Sequence, residues 1–401
     1  MNSYTKAYIP YGGYYSTPFS RWQMSLQNEN ACFLGPQTAR RWFLEKRALD
    51  PAIIDYLYFG TTVAQHHWFY SHQMAGAIMT DNQKFVPGLF IHQACSTSTT
   101  ILNLIAKDLE LGVYNVGYGL MSDRCSNGPH TIWPNPMGPG GEVESENWNM
   151  DNFGGPPTLR IAMVETAENV AKEVGITKEE CDETVFRRYE QYMDALKDDR
   201  AFQKRYMFAP AVKAGRKGTR LVEEDEGWTK TTREGLAALK PVRPGAVHSF
   251  GAQTFPADGN CGIIVTTRDQ AKELSTDPKT EIQILSYGFA RVKPAFMPAA
   301  PVPAAQMALD TAGLKISDIK AIKTHNPFAT NDLNLAKRMG VDVMKMNNYG
   351  SSLIYGHPQG PTAGRAIIEM IEELTILGGG YGLFTGCAAG DTAAALIVKV
   401  G

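Results

Sequence analysis

The sequence predicts an α/β protein built from two copies of one α/β unit, with a long insertion in the first copy. Four observations carry this reading. Tyr118-Gly-Leu-Met-Ser122 is echoed by Tyr381-Gly-Leu-Phe-Thr385. Each echo follows a helical stretch that stops at glycine, as helices commonly do. Ahead of each stretch stands one reactive residue, Cys95 or His357, 23 and 24 positions before the matching tyrosine. Upstream, Leu49-x4-Ile54-x2-Leu57 resembles Leu314-x4-Ile319-x2-Ile322. Four matches in the same order favour duplication over chance.

The elements follow in order. Phe85 to Ile91 reads as a strand running into a turn, which puts Cys95 at a strand-to-helix junction. The first helix spans about 96–111 and stops at Gly112, with Ile101, Ile105 and Leu109 at i+4 spacing and Leu102 beside them. Residues 123–158 are rich in Gly, Pro and Asn and read as a long loop carrying Trp133 and Trp148. Residues 160–200 read as helices, with Thr177 as the N-cap of the run from Lys178. Residues 211–244 are charged and irregular. Residues 123–244 therefore form an inserted lid-like region, flanked by 1–122 and 245–290 of the first half. Pro294 to Pro303 leads into the second half, 291–401. There a helix of about 362–377 stops at Gly378 with Ile367, Ile371 and Leu374 as its stripe, and Thr392 to Val400 reads as a strand.

Composition narrows the function. The 401 residues include 39 basic and 41 acidic side chains, a net −2, so no electrostatic case exists for nucleic acid or an anionic membrane. At 43% hydrophobic and 20% charged the chain is not globally disordered. The N-terminus lacks the apolar region of a signal peptide, and no apolar run reaches the ~18 residues of a membrane span. A cytoplasmic enzyme is expected. Cys32, Cys95, Cys125, Cys181, Cys261 and Cys387 are widely spaced with no CxxC pair, and read as reduced thiols. His66, His67 and His72 lie close together without a Cys or carboxylate at metal spacing, so a polar surface or interface segment is favoured over a zinc site. No metal is expected.

Three residues carry chemistry. Cys95, in Gln93-Ala-Cys-Ser-Thr, lies at a helix N-terminus, whose positive end favours a thiolate. His357, in Tyr355-Gly-His-Pro-Gln-Gly360, sits on a glycine-bearing loop and is a candidate base for a thiol. Cys387, in Thr385-Gly-Cys-Ala-Ala-Gly390, tops a turn between two strands. On corresponding edges of two copies they can converge, with one thiolate attacking a carbonyl, the histidine taking its proton, and the second thiol moving a proton on the substrate.

These motifs resemble the thiolases over nearly the whole chain. Cys95-Ser-Thr-Ser-Thr matches the nucleophile motif, Asn347-x8-Gly356-His-Pro-x-Gly-x-Thr-x-x-Arg365 is similar to the signature around the catalytic histidine, and Cys387-Ala-Ala-Gly matches the CxG region. Thr166-Ala-Glu-Asn-Val-Ala, Arg216-Lys-Gly218, Asp225-Glu226 and Thr232-Arg-Glu-Gly-Leu look like the family's lid. Two departures stand out. His325-Asn-Pro-Phe328 replaces the common Asn-Glu-Ala-Phe and resembles the sterol-carrier-type branch, and Ala389 stands where CxG has glycine.

The resemblance implies a five-layered α-β-α-β-α thiolase fold and reversible CoA-dependent cleavage of a 3-oxoacyl-CoA through an acyl-cysteine. Cys95 is then the nucleophile, His357 the base, and Cys387 the proton donor to the enolate. His325 with His357 holds the thioester enolate oxygen, with Asn326 as neighbour. The backbone N–H groups of Cys95 and Ala389 hold the other oxyanion. Coenzyme A is a co-substrate with no bound cofactor, and Arg216, Lys217, Arg220 and Thr254 are its candidate contacts, the three basic residues reading equally as a solvated face. Trp133, Trp148, Phe153, Tyr118 and Trp68-Phe-Tyr70 either line a pocket for a bulky or aromatic acyl group, such as that of 2-benzoylsuccinyl-CoA, or pack in the core or an interface. A homodimer or larger oligomer is implied, and this branch often works with a small zinc-ribbon and OB-fold subunit. Alternatives are the synthetic direction, making acetoacetyl-CoA, a condensing enzyme acting on carrier protein, and a non-catalytic acyl-CoA or lipid-binding protein. Retention of Cys95, His357 and Cys387 argues against the last.

Overall fold

The computed structural model describes residues 3–126, 128–216 and 218–401. Its strands, in chain order, are β1 Tyr8–Ile9, β2 Tyr14–Ser16, β3 Ser20–Arg21, β4 Tyr56–Gly60, β5 Gly88–Ile91, β6 Val116–Arg124, β7 His130–Pro134, β8 Val143–Asn147, β9 Ala211–Ala214, β10 Gly218–Leu221, β11 Ala257–Thr266, β12 Ile282–Arg291, β13 Ile319–His325, β14 Gly380–Ala388 and β15 Thr392–Val400. One continuous ladder runs β13-β14-β15-β12-β1-β11-β6-β4-β5, with β2 and β3 paired alongside β11. The two copies appear as equivalent triplets. In one, β4 lies parallel to β6 and β6 antiparallel to β11; in the other, β13 lies parallel to β14 and β14 antiparallel to β15. The short strand β1 pairs with both β11 and β12 and joins the copies into one ladder.

Helices fill the space between and around the copies. Thr97–Leu111 and Gly360–Ile376 pack on each other and touch strands of both halves, forming the middle layer. Ala31–Arg41 and Ser71–Thr80 cover the outer face of the first half, and Pro301–Ala312 covers the second. Thr97–Leu111 buries Ile101, Leu102, Ile105 and Leu109 completely and ends at Gly112 in the left-handed region (φ 70°), where a side chain would be strained. Gly360–Ile376 is buried on every side from Gly360 to Leu374, as a central helix must be. Its charges therefore need partners. Arg365 makes a bidentate pair with Asp225 at 2.6 and 2.8 Å and reaches Glu369 at 3.0 Å, all three fully buried or nearly so.

The structure revises two expectations. The stretch 123–158 is not a plain loop: β7 and β8 form a hairpin, and Trp148–Gly154 is a short helix capped by Asn147, whose side chain accepts from Met150 N–H. The stretch 211–244 likewise holds the hairpin β9–β10 and the helix Arg233–Ala238, capped by Thr232. Short hairpins of low hydrophobicity give little period-two signal, which is why composition hid them. Thr177 does cap Lys178–Arg200, in a reciprocal capping box with Glu180. The proline-rich lead-in runs through a turn and the 3-10 turn Met297–Ala299 into the helix Pro301–Ala312, with Pro301 at its first position, where a missing N–H costs nothing.

Candidate active site

Cys95 sits in the 3-10 turn Ala94–Ser96, immediately before Thr97–Leu111. Thr97 anchors this junction, its hydroxyl donating to Ala94 O (2.8 Å) and accepting from Gln93 N–H (3.0 Å). His357 follows the short helix Ser352–Tyr355 and is strapped at both backbone ends: its N–H donates to Phe255 O (2.9 Å) and its carbonyl accepts from Ala257 N–H (3.2 Å). Gly356 is obligatory there. It adopts φ 92°, and a Cβ would stand 2.6 Å from the Phe255 ring. Asp123, at the end of β6, ties the loops together. Its carboxylate accepts from Thr61 Oγ1, Thr62 N–H and Val63 N–H on one side and from Gly360 N–H (2.9 Å) on the other.

These constraints bring the predicted residues together. Cys95 Sγ lies 3.1 Å from His357 Nε2. The His357 Nδ1 contacts Thr362 Oγ1 at 2.6 Å, which leaves Nε2 to face the sulfur. The His325 ring stacks on His357 with centroids 4.0 Å apart, and its Nδ1 is held by Ser352 Oγ at 3.0 Å. The buried His325 Nε2 has no protein partner among the described residues. Cys387, at the end of β14, accepts from the Asn331 amide at 3.2 Å. Cys95, His357, Cys387 and Ala389 all border one cavity of about 580 Å³.

Burial shifts the ionisable groups of the site toward their neutral forms. Burial pushes the Cys95 thiol up to about 12, although the backbone N–H groups of Cys95 and Ala389 pull the other way. It pushes His357 down to about 3, with the nearby Gln359 side chain acting in the opposite direction. It also raises Cys387, with nearby Cys95 adding to the effect, and drives His325 well below the usual histidine range. Burial thus works against the thiolate that the helix N-terminus favours, and against an imidazolium beside it. Cys95, His325 and His357 place their ligand atoms within 4.8 Å of one another. The two rings lie 28° from parallel.

Other candidates are placed differently. Asn326 points away from the cavity, its amide donating to Asp332 Oδ2 (2.7 Å) and Ser351 Oγ (3.0 Å) and accepting from Leu353 N–H, so its side chain braces the strand end. Thr254 borders the cavity, but its hydroxyl donates to Ser352 O. Arg216 and Arg220 are exposed on the β9–β10 hairpin, away from the cavity lining, with Arg220 donating to Ser25 Oγ at 2.6 Å; Lys217 lies outside the described residues. Of the aromatics, Trp148 and Phe153 line the cavity, and Trp68 packs edge-on against Trp148. Trp133, Phe69 and Tyr70 are exposed, and Tyr118 is buried behind the sheet. Asn331, Gln359 and Asp123 went unnoticed in the sequence. A buried carboxylate on a strand end gives no local signal, and Gln359 occupies the variable position of the Gly-His-Pro-x-Gly signature.

Family profiles described as "Thiolase, N-terminal domain" and "Thiolase, C-terminal domain" match residues 13–269 and 278–400. The chain belongs to the thiolase family. Its relatives are acyltransferases. The beta-ketothiolase BktB of Cupriavidus necator is 29% identical over 320 residues, 78% of this chain and 79% of that protein. The 3-ketoacyl-CoA thiolase of Pseudoalteromonas atlantica is 28% identical over 96% of this chain and 94% of its own. The crystal structure of the Bacillus anthracis acetyl-CoA acetyltransferase superposes with TM-score 0.90 at 23% identity, covering both chains fully, which establishes the thiolase fold. Among the described residues, no helix of this thiolase is long and apolar enough to cross a membrane.

Proposed function

We propose that this thiolase cleaves, reversibly, a 3-oxoacyl-CoA with a bulky acyl group, using coenzyme A as co-substrate. The observation that carries the proposal is the 3.1 Å contact of Cys95 Sγ with His357 Nε2 at the floor of a cavity that also exposes Cys387. His357 takes the Cys95 proton as sulfur bonds to the 3-keto carbon. The Cα–Cβ bond then breaks, leaving an acyl-cysteine and a thioester enolate. Cys387 protonates the enolate carbon, and CoA thiol releases the acyl group. The backbone N–H groups of Cys95 and Ala389, which favour negative charge on the Cys95 sulfur, are the donors for the acyl oxygen, and the unpartnered Nε2 of His325 is the donor for the enolate oxygen.

The apolar wall of Trp148, Phe153, Phe328, Met163 and Met297 favours a bulky or aromatic acyl group, and 2-benzoylsuccinyl-CoA is one substrate of that shape. The β9–β10 hairpin with Arg216 and Arg220 is the proposed contact for nucleotide phosphates. A homodimer, with or without a small zinc-ribbon subunit, is the proposed assembly. The test is turnover on a panel of straight-chain and aryl 3-oxoacyl-CoAs, with and without copurifying protein, beside mass spectrometry of the enzyme after brief exposure to substrate. The wild type should carry an acyl group on Cys95, and Cys95→Ser none. Cys387→Ala should still load an acyl group but fail to exchange the α-protons of acetyl-CoA with deuterated water. An adduct on Cys387, or turnover by Cys95→Ser, would overturn the assignment; preference for short straight chains would overturn the bulky-substrate reading alone.

A further inference from the structure

We infer that Gln359 is a catalytic residue of this thiolase: its amide oxygen accepts from the Cys95 thiol beside His357 and favours transfer of the thiol proton to that ring. Cys95 Sγ donates to Gln359 Oε1 at 3.2 Å, beside its 3.1 Å contact with His357 Nε2. The same amide also works against the burial that lowers His357, as an acceptor close to that ring does. Gln359 is buried, and its side chain borders the reaction cavity. Its backbone is an independent sign. Gln359 adopts φ 60° and ψ −104°, a conformation that glycine holds readily and an L-residue holds at a cost. Its neighbour Gly360 is pinned by the Asp123 carboxylate, so the loop does not relax. A side chain kept at such a position, with its polar end on the reacting sulfur, points to use rather than packing.

The chemistry explains the need. Burial opposes both halves of the thiolate–imidazolium pair. When the proton leaves sulfur for Nε2, the amide oxygen changes its donor. A thiol is a weak donor and gains little from Oε1, whereas an imidazolium N–H gains a charge-assisted bond. The amide thus favours the charged pair over the neutral one. After sulfur has bonded to the acyl carbon it no longer carries negative charge, and Oε1 is the acceptor left to the imidazolium until its proton is passed on. No electron pair is exchanged with Gln359 itself.

This inference rests on the proposed roles of Cys95 and His357, and the experiment separates the two. Gln359→Leu keeps the bulk without the amide, and Gln359→Gly removes the amide and relieves the backbone. Iodoacetamide alkylation of Cys95, followed by mass spectrometry across pH, reads the thiolate population directly. Both variants should alkylate about tenfold more slowly or worse near neutral pH, with the profile displaced to higher pH, and should load acyl groups more slowly in proportion. Gln359→Gly should nonetheless melt at the wild-type temperature or above it, an outcome a structural role does not produce. A wild-type alkylation profile in Gln359→Leu would overturn the inference, as would slowed turnover with an unchanged profile, which assigns Gln359 to pocket shape. Absence of an acyl adduct on Cys95 in the wild type would instead remove the underlying reading.

Discussion

At the reaction centre, two hydrogen bonds decide what each histidine offers. Thr362 contacts His357 at Nδ1 and Ser352 contacts His325 at Nδ1, which leaves each ring its Nε2. Burial disfavours the charged form of both rings, which suits His357 to accept a proton; His325 donates from Nε2 in the tautomer in which the Ser352 hydroxyl turns from Asn326 Oδ1 to its Nδ1. His325→Ala should therefore slow carbon–carbon cleavage by about a hundredfold or more, the scale of one lost oxyanion donor. Acyl loading of Cys95 should suffer far less, because that oxygen is held by backbone N–H groups. His325→Asn should recover part of the loss. Comparing the two half-reactions checks this, and equal losses in both would mean general damage to the pocket. Asn326, its neighbour in the motif, makes the opposite point. Adjacent residues at a strand end face opposite ways, and its amide is consumed by Asp332 and Ser351.

Among the elements, the central helix Gly360–Ile376 ties the inserted region to the core. Arg365 lies between the Tyr355 and Phe19 rings and forks onto Asp225, a residue of the inserted region. Asp225 in turn accepts from Phe19 N–H, the Tyr192 hydroxyl and the Gln203 amide. Removing one partner leaves the other charge buried. Asp225→Asn should cost about 3–5 kcal/mol, the range for breaking such a pair, and should lower the denaturant midpoint accordingly. Combining Asp225→Asn with Arg365→Met should restore part of that loss, since no uncompensated guanidinium remains. Additive losses in the double variant would show that the two side chains act separately.

For the molecule as a whole, the buried neutral histidines set the acid limit of stability. A histidine held at about 3 in the folded chain and near 6.5 when unfolded binds its proton only on unfolding within that window. The folded state is therefore stable above about pH 6.5 and loses stability as pH falls toward 3, by about 1.4 kcal/mol per unit for a single such group. His325 is displaced in the same direction and adds to the slope. Chemical denaturation at a series of pH values should show a shallower acid slope in His357→Gln than in the wild type. An unchanged slope would place the acid sensitivity in other groups, such as the buried carboxylates.

The sequence by itself determined the duplication, the two glycine-stopped helices of the middle layer, the Thr177 cap and the three reactive residues. All of these rest on short-range patterns: a 3.6-residue stripe, a capping residue, or a reactive side chain within a few positions of glycine. What it left open was every feature decided across the chain. The hairpins β7–β8 and β9–β10 are polar and exposed in large part, so no alternation announced them. The desolvation that opposes a Cys95 thiolate comes from residues brought around it by the fold, not from its neighbours in sequence. Gln359 reaches Cys95 across 264 positions of sequence, and Asp123 reaches Gly360 across 237. Local spacing names the residue types that can react; the fold decides which atoms face each other and how much water they keep.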